Sequence, residues 1–389
     1  MKKVLKGVSD RVNIDEGQRA VEQLLLEVYF EPGISTKILS RKLLLPLPLV
    51  AAIKKEFIKA GILEQKQGVR FTGKGKGLMD KTYGFAEMDM ALYNKIMEDR
   101  IDIDQDFKKE MKILKGIYKA RPEVDSTIDQ SKGTMDTSLK RAVLCLQNYG
   151  ILGNKILCVG DDDLVSVAIG FLLKKLFPQS RRYPAEVHIV DIDRRFLKYI
   201  KQIAKLENLP ITGHYADLRE PLSQELHNQF DCFFTDPPYT LQGMNLFISR
   251  GLEALKEEPG LPIFFSFAHR SPDMSLAMQR EYVRMGLTIS RLIPNFNRYE
   301  GAEIIGNTSQ MTVLMTTNKT QTIIDDKFED ALYTGEIRRT LRTYQCKECG
   351  DKIKVGYKGD FRTIEKLKNK GCPDCRGQKF ELIEKKRVK

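Results

Sequence analysis

The chain has 389 residues, more than one hydrophobic core organises, so two or more domains are expected. Its composition, 42% apolar and 30% charged, is that of a soluble globular protein, and no uninterrupted apolar run approaches the ~18 residues of a membrane span, so a membrane protein is excluded and the cytoplasm expected. The formal charge of +12 suits a polyanion such as nucleic acid, but the positive residues are spread along the whole chain, which favours a lysine-rich protein that simply stays in solution.

In chain order, residues 17–72 hold three helical patterns, GQRAVEQLLLEVYFEP, ISTKILSRKLLL and PLPLVAAIKKEFIKAGIL, then a short β element, EQKQGVRFT. That is the outline of a winged helix, assigned to residues 1–75, serving either duplex binding or scaffolding and dimerisation. TGKGKG at 72–77 reads as a flexible linker. Residues 76–150 form a helical connector and a polar lead-in that ends by capping a helix at TSLKRAVLCLQNYG.

From 155 onward strands and helices alternate: KILCVG, EVHIVDI, ITGHYA, FDCFFTD, LPIFFSF, LTISRLIPNF and SQMTVLMTT, with helices near 164–177, 194–208, 242–256 and 272–285. Seven strands, the last two consecutive, match the Rossmann-like sheet of class I S-adenosylmethionine-dependent methyltransferases, placed at 151–318. A polar stretch from residue 319 leads to a tail with Cys346-Lys-Glu-Cys349 and Cys372-Pro-Asp-Cys375, the spacing of a zinc ribbon whose four-thiolate site is closed and structural. Cys145, Cys158 and Cys232 sit singly in apolar runs and read as buried hydrophobes.

Ligands of an open parallel sheet bind at the carboxyl ends of its strands, and four of these ends are acidic. The first is Gly160-Asp161-Asp162-Asp163, where a nucleotide loop keeps running glycines; Asp162 or Asp163 is expected to cap the helix starting at Leu164. Asp191 is placed to take ribose hydroxyls, with Asp193 capping the next helix, and Asp217 either meets an adenine amino group or closes a turn. Asp236-Pro237-Pro238-Tyr239 is a stiff turn whose Asp can orient an amino nitrogen and whose Tyr can pack over a nucleophile or a cation. Three carboxylates would repel a methionine tail but suit decarboxylated S-adenosylmethionine, which carries an ammonium and a sulfonium and no anion.

The motifs GDDDLVSVA (160–168), VDIDRRFL (190–197), TDPPYTLQGMNLFISRGL (235–252), IPNFNRYEGAEIIGNTS (293–309) and the lead-in STIDQSKGTMDTSLKRA (126–142) resemble the branched-chain polyamine synthases, or N(4)-bis(aminopropyl)spermidine synthases, over roughly residues 1–318. The resemblance implies two successive aminopropyl transfers from decarboxylated S-adenosylmethionine to the secondary nitrogen of spermidine or a related linear polyamine, with release of methylthioadenosine, in a homodimer from a thermophilic source. It implies Asp163 or Asp162 as base with Asp236 orienting the nitrogen, Gly160, Asp161, Asp191, Asp217 and Gln130 at the donor, and Tyr239, Pro237, Glu300 and Glu303 at the polyamine. The zinc-ribbon tail departs from the family pattern. The alternative is a nucleic-acid amino-methyltransferase using intact S-adenosylmethionine, which would want a basic, aromatic rim where this sequence is acidic.

Overall fold

The computed structural model describes all residues except 13, 181, 303–304, 331, 334–339, 362–363 and 388–389. Helices α1 (Lys2–Val12), α2 (Gly17–Phe30), α3 (Thr36–Leu43) and α4 (Leu47–Lys59) are followed by the antiparallel pair β1 (Leu63–Gln65) and β2 (Val69–Phe71). The local signals are plain: Ser35 Oγ accepts from Ile38 N–H at 3.2 Å to start α3, and Pro48 sits in the first turn of α4, where a missing N–H costs nothing. Leu24, Val28, Val50, Ile53 and Phe57 are buried in one cluster.

TGKGKG is not a linker. It is the first turn of α5 (Gly73–Tyr83), so the boundary expected at 75 falls inside a helix. Thr72 Oγ1 caps it by accepting from Gly75 N–H at 3.0 Å, and Gly75 lies so close to the preceding strand that a Cβ there would stand 2.2 Å from Ile62 O. The glycines lower helix propensity by about 1 kcal/mol each, but the cap and the burial of Met79 and Tyr83 prevail. Tyr83 reaches the next region, against Gly153, where a Cβ would lie 2.4 Å from its ring.

Then come α6 (Met90–Met97), α7 (Ile103–Asp106), α8 (Lys108–Ala120), the two-residue strand β3 (Lys132–Gly133) and α9 (Met135–Gln147), which starts two residues before the expected TSLKRA because Thr134 caps it. The central sheet follows as β4 (Lys155–Val159), α10 (Val165–Leu176), β5 (Glu186–Asp191), α11 (Arg194–Glu207), β6 (Ile211–Tyr215), β7 (Cys232–Thr235), α12 (Leu241–Ala254), β8 (Pro262–Phe267), α13 (Pro272–Arg284), β9 (Thr288–Glu300) and β10 (Thr308–Met315). The strand order is β3-β9-β10-β8-β7-β4-β5-β6. Strands β4 to β8 run parallel, and β10 is antiparallel to both β8 and β9. This is the expected methyltransferase-like sheet with one addition: β3 pairs with the end of β9, making eight strands rather than seven. β7 and β8 are buried along their whole length, as strands covered on both faces must be. Cys145, Cys158 and Cys232 are fully buried, as expected.

The tail comprises β11 (Thr340–Cys346), β12 (Lys352–Gly356), α14 (Ile364–Lys370) and β13 (Phe380–Arg387), with the strands in the order β12-β11-β13. The stretch leading to it is a strap. Phe328, Leu332 and Tyr333 bury themselves with Leu246 of α12, and the fully buried Arg250 donates to Ile324 O at 3.2 Å and Asp326 O at 2.7 Å.

Candidate active site

The chain reverses its strand order at β4, with β5 on one side and β7 on the other, and the crevice opens there. Gly160, at φ +76°, turns the chain out of β4, and Leu164, at φ +57°, turns it into α10. These two turns give the three aspartates separate tasks. Asp161 is the helix cap: its Oδ1 accepts from Val165 N–H at 2.6 Å and its Oδ2 from Ser166 N–H at 3.2 Å and from the Ser166 hydroxyl. The expectation that Asp162 or Asp163 caps is therefore corrected, because the left-handed Leu164 swings both away from the helix end. Asp162, half-buried, accepts from Ser131 N–H at 2.7 Å. Asp163 is buried and takes Gly133 N–H at 2.6 Å on one oxygen and Arg141 Nη1 at 2.9 Å on the other.

Burial is the main cause by which all three carboxyls are raised. It pushes Asp161 up to about 8 against the pull of the Ser166 and Val165 donors. Asp162 stands well above the usual carboxylate range, burial being reinforced by the charge of Asp163. Asp163 rises to about 6, held back mainly by Arg141.

A cleft runs from this loop across the ends of β5 and β6. Gly160, Asp162, Asp191, Asp217, Gln130, Asp129 and Asp236 supply its polar lining, and Ile128, Val190, Ile192, Leu218, Phe247 and the strap residues Leu332 and Tyr333 its apolar lining. Of the expected donor residues, Asp161 alone lies outside this lining. Asp191 accepts from Asp161 N–H at 3.0 Å and Asp193 N–H at 2.7 Å. Asp193 caps α11 as expected, through Arg195 N–H at 2.9 Å, and receives Gln130 Nε2 at 3.1 Å. Asp217 closes a turn onto Arg219 N–H at 3.0 Å, as one of its two readings expects, and also lines the cleft.

A second cavity, of about 250 Å³, lies beside it and shares Gly160, Asp162 and Asp236. Asp236 Oδ2 accepts from Arg141 Nη2 at 2.8 Å and from Tyr299 OH at 2.6 Å. Pro238 rather than Pro237 lines the cleft. Tyr239 packs edge-on to Phe267, donates to Tyr299 OH at 3.1 Å, and has Arg270 as its cation, 5.7 Å from the ring. Glu300 is 65% exposed, ion-paired with Arg121 at 3.4 Å, and lines neither cavity; Glu303 lies outside the described residues.

Sequence reasoning passed over Arg141 and Tyr299. Both left a signal. Arg141 stands on the stripe Ser138, Arg141, Ala142, Cys145, all buried, and a charge on the apolar stripe of a helix calls for a buried partner. In β9 the alternation at 297–300 turns Asn297 and Tyr299 inward and Arg298 and Glu300 outward.

The profile of the family described as "Branched-chain polyamine synthase A C-terminal domain" matches residues 110–355. An uncharacterized protein of Methanocaldococcus jannaschii is 37% identical over 99% of this chain and 94% of its own. The N(4)-bis(aminopropyl)spermidine synthase of Thermococcus kodakarensis is 31% identical over 77% of this chain and 83% of its own. A crystal structure of the branched-chain polyamine synthase of Thermus thermophilus, in complex with N4-aminopropylspermidine and 5'-methylthioadenosine, has the same fold, with a TM-score of 0.51 and 23% identity over 85% of this chain and 96% of that one. The profile spans the acidic strand ends, the Asp-Pro-Pro-Tyr turn and β9 together, and on that match the chain belongs to the branched-chain polyamine synthase family.

Proposed function

We propose that this chain transfers aminopropyl groups from decarboxylated S-adenosylmethionine to the secondary nitrogen of spermidine or a related linear polyamine, in two rounds, each releasing methylthioadenosine. The observation that carries the proposal is the charge of the cleft: among the described residues its lining holds five aspartates and no lysine or arginine. The carboxylate of intact S-adenosylmethionine would meet only like charge there, whereas the aminopropyl ammonium and sulfonium of the decarboxylated donor meet opposite charge. The compounds bound in the Thermus thermophilus enzyme are those this transfer would release.

In each round the acceptor nitrogen loses one proton, its lone pair forms a C–N bond to the aminopropyl carbon, and the C–S bonding pair leaves with sulfur as neutral thioether. Amine pKa values lie near ~10, so an unprotonated nitrogen must be made on the enzyme. Asp162 is the base in this reading: it borders both cavities, forms no ion pair among the described residues, and its raised pKa brings it closer to that of the amine than a solvated carboxylate would be. Asp236 orients the nitrogen, and Gln130, Gly160, Asp191 and Asp217 hold the nucleoside.

The test is mass spectrometry after incubation with spermidine and either form of the donor. One and two added aminopropyl groups, with methylthioadenosine, are expected from the decarboxylated donor alone. No transfer, or methylation of nucleic acid from S-adenosylmethionine, overturns the reading.

The same reading takes α1 to α4 with β1–β2 as a winged helix and the tail as a zinc ribbon. The Sγ atoms of Cys346, Cys349, Cys372 and Cys375 all lie within 4.8 Å of one another, and two pairs stand 3.6 Å apart. Tetrahedral zinc with Zn–S bonds of ~2.3 Å needs sulfurs about 3.8 Å apart. Four thiolates leave no open position, so the metal would hold the tail's small core of Cys346, Ile353, Val355, Leu367 and Cys372 together. Metal analysis of the purified protein should give one zinc per chain; a folded, metal-free tail refutes the site.

A further inference from the structure

Arg141 borders the second cavity and not the donor cleft, and every nitrogen of its guanidinium is engaged. The side chain is 3% exposed. Nε donates to Asn297 Oδ1 at 2.8 Å, Nη1 to Asp163 Oδ2 at 2.9 Å, and Nη2 to Asp236 Oδ2 at 2.8 Å and Tyr299 OH at 3.3 Å. The receiving groups are themselves fixed. Asn297 Nδ2 donates to Ser309 Oγ at 2.9 Å and Gln310 O at 3.2 Å, which sets its amide so that the oxygen faces Arg141. Tyr299 OH shares a bond with Ser309 Oγ at 2.8 Å.

Stability gives a poor account of such a residue. Burying an arginine between two carboxylates costs about as much as the attraction returns, and well-packed apolar side chains of similar volume commonly do as well or better. What the arrangement does achieve is to make three neighbouring carboxyls unequal. Asp163 has one oxygen on Gly133 N–H and the other on Arg141; Asp236 has Oδ2 on two donors; Asp162 has Ser131 N–H and, among the described residues, no ion pair.

We propose that Arg141 is a positioning residue for aminopropyl transfer: by tying down the far oxygens of Asp163 and Asp236 it leaves Asp162 as the carboxyl that receives the proton of the acceptor nitrogen. This rests on the aminopropyl-transfer reading. The proton passes from the protonated amine to the Asp162 carboxylate, the freed lone pair attacks the aminopropyl carbon, and the proton leaves Asp162 for solvent before the next round. The other charged or titratable groups facing this network are Asp161 from the same loop, Cys158 from β4, Asp191 from the end of β5, Tyr239 from the turn after β7, Tyr299 from β9, Tyr118 from α8, whose OH donates to Asp163 O at 2.9 Å, and Arg121 at the end of α8. Arg121 stands on the far side of Asp163, with Nη1 donating to Gly133 O at 2.7 Å. Its partners are Gly133 O and Glu300 rather than Asp236. It softens, and does not replace, the loss of Arg141.

The test measures kcat for methylthioadenosine release against pH in wild type, Arg141→Lys and Arg141→Gln, with methylthioadenosine-induced thermal stabilisation reporting that each variant is folded. Without the guanidinium the Asp162–Asp163–Asp236 group loses its buried positive charge and takes protons at higher pH, so the acid limb of the profile, which reports Asp162, should move up by about 1–3 pH units in Arg141→Gln. It should move less in Arg141→Lys, which keeps the charge but has no fork to bridge both carboxylates. Tyr299→Phe removes one donor from Asp236 with Arg141 in place, and should lower kcat without moving that limb, so the two halves of the network separate even if the arginine variants fold poorly. An equal loss of kcat at every pH in a folded Arg141 variant, or full activity, overturns the assignment. A wild type that releases no methylthioadenosine with spermidine sinks the transfer reading itself, an outcome distinct from an active wild type whose variants keep its acid limb.

Discussion

The two walls of the cleft are built by different means. On the β4–β5–β6 side the carboxylates are anchored by backbone N–H groups, mostly close by in sequence: Asp161 by Val165 and Ser166, Asp193 by Arg195, Asp217 by Arg219, and Asp191 by Asp193 and by Asp161, 30 positions away. On the β7–β9–β10 side the partners are side chains far apart, with Arg141 and Asp163 separated by 22 positions, Tyr299 and Asp236 by 63, and Arg141 and Asn297 by 156. The first wall is a set of caps and turns that any chain with these local sequences would form. The second exists only once the sheet has closed, and it is there that side chains rather than backbone set the electrostatics.

Asp162 stands at the seam of the two walls, and Asp162→Asn is the change with the largest expected effect. Loss of a general base lowers kcat by about 10²–10⁴-fold, while Asn can still accept from Ser131 N–H. Stability should move the other way. Asp162 has its pKa raised by folding, so between the unfolded value of ~3.9 and the raised value the native state binds more protons, and stability falls as pH rises through that window. The Asn variant does not titrate, so it should melt above wild type at pH 8 and level with it near pH 4. A variant that keeps its turnover shifts the base to Asp163 or Asp236. One that is inactive but melts lower at pH 8 assigns Asp162 a structural task instead.

The same division explains what the sequence made legible. The alternation of strands and helices, the methyltransferase-like sheet and the acidic residues after its strands follow from hydrophobic runs and from the residues just after them. Within the loop the reading slipped at Asp161, because the cap depends on Leu164 adopting a left-handed φ that no residue preference announces. It slipped again at 72–77, where glycine spacing outweighed the Thr72 cap and the close approach of Gly75 to Ile62. At β9 the acidic Glu300 drew notice for its charge, whereas strand alternation points to Tyr299. The stripe of α9 marks Arg141 as a buried charge, but not what it pairs with, because its partners come from three other segments of the chain.

If the walls divide the labour, a change confined to the first should alter donor binding and leave the chemistry alone. Asp191 is the place to look: it ends β5, lines the cleft, and spends its two oxygens on Asp161 N–H and Asp193 N–H. Asn at this position keeps one acceptor and turns an NH₂ toward a backbone N–H, weakening both the loop and any charge-assisted bond to a ribose hydroxyl. Such bonds are worth about 1.5–3 kcal/mol, so KM for the donor and Kd for methylthioadenosine should rise by about 10- to 100-fold. KM for the polyamine should stay put, and kcat should fall by less than about threefold, since uniform binding rather than transition-state binding has been removed. The opposite split, with kcat lost and donor KM unchanged, would place Asp191 in the proton path and erase the distinction between the walls.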